Sequence, residues 1–120
     1  MDDINTIYYN DFGIAFQWKR SDAKDFNKIQ LVFNNTGLFL NREELIQFSK
    51  NIDSALTKGK SFGNATQNKP CELFLLEAPN PQLSFAMNLE ELKDMQDLMT
   101  RTLFQLGLNH VLKNKQIRFN

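Results

Sequence analysis

Cysteine is almost missing from this 120-residue chain, which holds one, Cys71, and one histidine, His110. A single thiol closes no internal disulfide, and neither CxxC nor Cys-His metal spacing occurs, so disulfide-framed and zinc-built folds are excluded and no cofactor is expected. Prolines number three and glycines five, too few for a linker-rich or collagen-like chain. No apolar run approaches the roughly 20 residues that a membrane helix requires. The first residues, Met1-Asp2-Asp3, are acidic where a signal peptide would be basic. A cytoplasmic protein without a membrane partner is the expectation. Charge of one sign is missing too: 14 basic and 14 acidic side chains cancel. No global field then attracts polyanions, and no nucleic-acid partner is expected. Lys113, Lys115 and Arg118 form a short basic tail, which is read as solubilising.

Aromatic residues are what the chain has in abundance, with 11 phenylalanines. Its length suits one domain, 1–120, with one core. Ile4 to Tyr9 and Gly13 to Lys19 read as a hairpin around Asn10-Asp11-Phe12-Gly13. In the second strand, alternation puts Ile14, Phe16 and Trp18 on the core face and Ala15, Gln17 and Lys19 outside. Arg20 to Asn27 is a charged connection. Lys28 to Phe33 alternates with Ile29, Leu31 and Phe33 inward, and Asn34-Asn35-Thr36-Gly37 turns into Leu38-Phe39-Leu40. A helix follows, with Leu45, Phe48, Ile52, Ala55 and Leu56 along one stripe. Gly59 to Pro70 is small and polar, a loop longer than most connections, and is read as disordered.

The second half repeats the plan. Cys71 to Glu77 is a strand, Pro79-Asn80-Pro81 a turn, and Leu83, Phe85 and Met87 alternate into a second helix. That helix carries Leu92, Met95, Met99, Leu103 and Leu106 on one stripe, with Gly107-Leu108 as a glycine C-cap. Leu98 and Phe104 fall well off the stripe and require a second surface to cover them. Each helix opens on the same phrase, Leu40-Asn41-Arg42-Glu43-Glu44-Leu45 and Met87-Asn88-Leu89-Glu90-Glu91-Leu92. The asparagine is placed to cap, the second glutamate to reach back as a capping-box partner, and Leu40 and Met87 to staple onto Leu45 and Leu92. Duplication and convergence on good capping residues both account for the repeat, and both predict the same local structure twice.

Chemical motifs are few. Asp11-Phe12-Gly13 spells a kinase metal-binding triplet without the glycine-rich loop or catalytic segment it needs. Gly59-Lys60-Ser61 echoes a P-loop but follows a helix instead of opening one. No cue brings Cys71 and His110 together as nucleophile and base, and capping accounts for the paired glutamates. Tyr8, Tyr9, Phe16, Trp18 and Lys19 have the composition of a base-stacking platform, but alternation assigns Phe16 and Trp18 to the core.

The run Lys28-Ile29-Gln30-Leu31-Val32-Phe33, the turn ending at Gly37, and the strand leading into Glu43-Glu44-Leu45 resemble small bacterial domain families of unknown function. The resemblance implies no activity, ligand or site. The expected fold is α+β: an antiparallel sheet of about six strands with two amphipathic helices on one face, built as a tandem strand-strand-helix repeat. The uncovered sheet face would then carry Val32 and Phe39, joined by Phe74 and Leu76 if Leu73 and Leu75 face the helices, an apolar patch of the kind that marks a contact. The expected function is a non-catalytic interaction or scaffold module, a homodimer or bound to another protein, using that face or the Leu98 and Phe104 side of the second helix. The competing expectation is a small-molecule binder or enzyme with an apolar pocket between helices and sheet.

Overall fold

The computed structural model describes residues 3–19, 28–58, 61–62 and 72–108. Cys71, His110 and the basic tail lie outside them, as do Arg20 to Asn27 and most of the expected 59–70 loop. Seven strands and two helices follow in chain order: β1 (Ile4–Tyr9), β2 (Gly13–Trp18), β3 (Ile29–Phe33), β4 (Thr36–Leu40), α1 (Arg42–Lys58), β5 (Ser61–Phe62), β6 (Leu73–Glu77), β7 (Ser84–Met87) and α2 (Leu89–Gln105). The fold is α+β, but the strands do not form one six-stranded sheet. They form two antiparallel meanders, β1-β2-β3-β4 and β5-β6-β7, the last completed by a two-residue strand inside the expected loop. One continuous sheet would have to pair β4 or β1 with a strand of the second half. Each half instead pairs only with itself, and α1 and α2 pack against one another.

The two halves share a hairpin that leads into a helix. Ile29 faces Leu40 and Leu31 faces Leu38 in one hairpin, while Phe74 faces Met87 and Leu76 faces Phe85 in the other. Within each sheet a further strand lies beside this hairpin, β2 or β5, and each helix is 17 residues long. Strand β1 has no counterpart in the second half.

Local chemistry sets the turns and caps. Asn34 and Asn35 both adopt positive φ, 48° and 60°, the two-residue geometry whose twist suits a hairpin. Both helices open on full capping boxes. The Glu44 amide donates to Asn41 Oδ1 at 2.8 Å and the Asn41 amide donates to Glu44 Oε1 at 2.9 Å, and Asn88 and Glu91 repeat the same two distances. Helix α2 ends on Gly107 at φ 78°. The Leu108 amide reaches the Leu103 carbonyl and the Gly107 amide that of Phe104, each at 3.0 Å, a Schellman closure that draws Leu108 into the core.

Both helices bury the expected stripe, with Leu45, Phe48, Ile52 and Ala55 of α1 meeting Leu92, Met95, Met99 and Leu103 of α2 in one cluster. A run of rings ties the layers together: Phe12 stacks on Phe33 at 5.8 Å, Phe33 meets Phe85 edge-on at 5.3 Å, and Phe85 meets Phe48 at 6.2 Å. Helix α2 lies mainly on β1 and β2 and α1 mainly on β6, but α1 also meets β4 and α2 also meets β6 and β7, so each helix touches both sheets. Strand β2 runs in the opposite phase to the expected one. Ala15 is fully buried in the core, and Ile14, Phe16 and Trp18 turn outward. The inward side of β2 is crowded at Gly13, where a Cβ would stand 2.6 Å from the Val32 carbonyl of the neighbouring strand β3 and 3.2 Å from Leu98 Cδ2 of α2. Only the small side of β2 fits beneath the helix.

The caps give a measurable expectation. Asn41→Ala and Asn88→Ala should each lower the unfolding free energy by about 1 kcal/mol, read from the midpoint of a urea transition. Unchanged midpoints in both variants would remove the energetic role assigned to the boxes.

Candidate interaction surface

The outer face of the four-stranded sheet follows from its register. Ile4 lies opposite Trp18, with Lys28 just ahead of β3 at the same end. Thr6, Phe16, Gln30 and Phe39 form a middle row, and Tyr9, Ile14, Val32 and Gly37 a third. A bulge between Thr6 and Tyr8 shifts β1 by one residue, turning Tyr9 to this face and Tyr8 to the helix side. Three large side chains on the face are open to solvent: Tyr9 at 68%, Phe39 at 38% and Trp18 at 37%. Phe16 is buried yet stands apart from the central core cluster, its ring meeting Trp18 edge-on at 5.1 Å.

Polar groups on this face hold the aromatics in place. The Trp18 indole N–H donates to Gln30 Oε1 at 3.1 Å, and the Gln30 amide donates to the Leu38 carbonyl at 3.3 Å. The Lys28 ammonium sits 5.1 Å from the centre of the Phe39 ring, an attraction of about 0.5–1 kcal/mol at an exposed site. Lys28 is the one charged side chain in the three rows.

Of the residues expected on an uncovered face, Val32 and Phe39 are there, Val32 half-buried. Leu76 is fully buried in the core and Phe74 packs against it, because each pairs with an inward residue of β7; Leu75 points out instead, 56% exposed. Leu98 is fully buried beneath β2, the second surface its off-stripe position required, whereas Phe104 stays 55% exposed on α2. Neither Leu76 nor Leu98 offers atoms to a partner. Sequence reasoning missed Ile14 and Trp18 as outer-face residues and put Phe16 in the central core, whereas it is buried on the outer side of the sheet. The overlooked signal was the Gly13-x-Ala15 pattern, a small-residue side suited to a close helix.

On the helix side, Tyr8 donates its hydroxyl to Asp97 Oδ2 at 2.8 Å, and the Asn10 side-chain amide donates to the same oxygen at 3.0 Å and to the Asp94 carbonyl at 3.1 Å. Asn10 Oδ1 accepts from the Phe12 and Gly13 amides, so one side chain both makes the turn and ties it to α2. The hydrogen bond to Asp97, followed by burial and the negative charge of Asp97, raises the Tyr8 phenol above its usual value, partly offset by Arg101. These residues serve the fold.

One concave feature lies on the other side of the helices. An open groove of about 400 Å³ runs between α1 and β6–β7, lined by Asn51, Ser54, Ala55, Lys58, Leu75, Glu77 and Ser84. Asn51 already donates to the Glu77 carbonyl at 2.9 Å. Among the described residues no cluster of His, Cys, Asp or Glu could hold a metal ion, and no helix is long and apolar enough to cross a membrane. No family model, curated protein or solved structure matches the chain. The surface therefore carries the functional reading by itself.

Tyr8 provides a pH test. Its phenol stays protonated in the fold where the unfolded chain ionises, so its contribution is complete below about pH 10 and lost as pH rises through the raised native value. Tyr8→Phe should therefore flatten the alkaline fall of the melting temperature, and parallel profiles for the two proteins would contradict the assignment.

Proposed function

We propose that this protein is a cytoplasmic, non-catalytic interaction or scaffold module that acts as a homodimer through the outer face of its four-stranded sheet. The supporting observation is the placement of Tyr9, Trp18 and Phe39 on one solvent-facing sheet surface, beside Ile4, Ile14 and Val32, while the core is already filled without them. Folding had no need of large aromatics there: the outward positions of a half-covered sheet are ordinarily polar. A clustered patch of this kind marks a contact. Zero formal net charge lets two copies approach without long-range repulsion.

The helix–sheet groove favours one other reading, a site for a small polar molecule. It sets the Lys58 ammonium and the Glu77 carboxylate around Leu75 and Ala55, opposite charges beside an apolar floor. Its walls are exposed, and it ranks second for that reason.

Two measurements separate the readings. Sedimentation of the intact chain from about 1 to 200 μM should show the average mass rising toward two chains, and a single-chain mass throughout would refute the homodimer. In a thermal-shift screen of amino acids and other small zwitterions, a concentration-dependent rise in melting temperature that Lys58→Ala abolishes would favour the groove, while a flat response would exclude that class of ligand.

A further inference from the structure

We propose that the two copies pair face to face about a two-fold axis running across the strands at the level of Leu38, so that Phe39 of each copy sits over Gly37 of the other. The inference rests on the reading of this face as a homodimer surface and adds the geometry of the pair.

Strand β4 carries the deciding pattern. Gly37 and Phe39 are successive outward positions on it, both exposed. One offers no side chain and the other a ring, roughly 7 Å further along the strand. A two-fold axis midway between them carries each position onto the other, so the ring of one copy meets the notch of its partner twice. This is the self-complementarity that an isologous interface requires. An unrelated partner would need its own ring and notch at matching spacing, whereas a second copy has them by construction.

The same rotation brings the rest of the face into register. It exchanges the middle row with the third, so Thr6 lies opposite Tyr9, Phe16 opposite Ile14, and Gln30 opposite Val32. Small thus meets large at the β1 edge as it does at β4. Lys28, three residues before Leu31, is carried toward Asn34, three residues after it, in the β3–β4 turn. The one cation of the face then meets a polar turn instead of its own copy. Strand directions oppose one another, compatible with aligned packing of two twisted sheets about 10 Å apart.

Area sets the strength. Four strands about 4.8 Å apart and five or six residues long give a footprint of roughly 350 Å² on each copy, or about 1,000 Å² of accessible surface for the pair once its corrugation is included. That is the lower end for specific contacts. A contact of this size is a reversible one, and each chain folds without it.

Gly37→Val is the decisive variant. A Cβ at Gly37 meets the Gln30 amide nitrogen at 3.2 Å and the Leu31 carbonyl at 3.9 Å, so the Gln30 side chain, which accepts from the Trp18 indole and donates to the Leu38 carbonyl, has to give by a few tenths of an ångström, and valine suits a strand. Sedimentation equilibrium of the intact chain should show association at least tenfold weaker in Gly37→Val, with the circular dichroism spectrum and melting temperature retained. Phe39→Ser should show the same loss from the other side of the contact. Leu75→Ser, on the second sheet, should leave association unchanged. A wild-type dimer undiminished by Gly37→Val or Phe39→Ser overturns this pairing while the homodimer stands, as does one dissociated by Leu75→Ser. A wild-type chain that stays single up to 200 μM overturns the pairing and the homodimer together.

Discussion

The contact on which most of this molecule depends is the close approach of α2 to β2 at Gly13. Leu98 reaches down to the strand where a Cβ would not fit, and Ala15 continues the small-residue side, fully buried. Side chains alternate along a strand, so one inward residue dictates all the others. With Gly13 and Ala15 inward, Ile14, Phe16 and Trp18 have to face out, and register then places Val32 and Phe39 beside them. The apolar outer face is thus a geometric consequence of how tightly the helix sits. A Cβ at Gly13 would be costly chiefly because the nearest atom, at 2.6 Å, is the backbone carbonyl of Val32 in the neighbouring strand β3, whereas Leu98 Cδ2 is the end of a flexible side chain.

Much of the fold was legible because it is written in local signals. The capping phrases at Asn41 and Asn88, the Asn34-Asn35 turn, the Gly107 C-cap and the helix stripes act over a few residues, and a sequence displays them directly. Six of the strands were legible for the same reason. Beyond view was anything decided by which element lies on which. A period of two shows that β2 has two faces but not which is covered. Apolarity favoured the face with Phe16 and Trp18, and the helix chose the face with Gly13 and Ala15. In β6, Leu73, Phe74, Leu75 and Leu76 are apolar on both faces, so only pairing with Phe85 and Met87 settled their phase. The division into two sheets was hidden too, because each hairpin is local but the junction between sheets is not. Of the candidate surface, Val32 and Phe39 were legible and its centre was not.

The core and the outer face use aromatic rings in different ways. Inside, Phe12, Phe33, Phe85 and Phe48 form a continuous run from the β1–β2 turn to α1, each edge or stack adding roughly 0.5–1.5 kcal/mol beyond its burial. Outside, Trp18 and Phe39 are held by Gln30 and Lys28, polar groups that keep one orientation while leaving much of each ring wet. Rings restrained in this way lose less freedom on binding than free ones would, which favours association without adding contact.

The Tyr8–Asp97 hydrogen bond spans 89 residues of sequence, whereas each strand meander and its following helix are contiguous in the chain. A chain assembled this way can form its two halves from near neighbours and must then bring its beginning to its end. Local closures cost little entropy and form early, while distant ones come late. Strand β1, which has no counterpart in the second half, is therefore the clasp of the molecule: it extends a finished sheet by one strand and, through Tyr8 and Asn10, fastens the first residues described to the last helix.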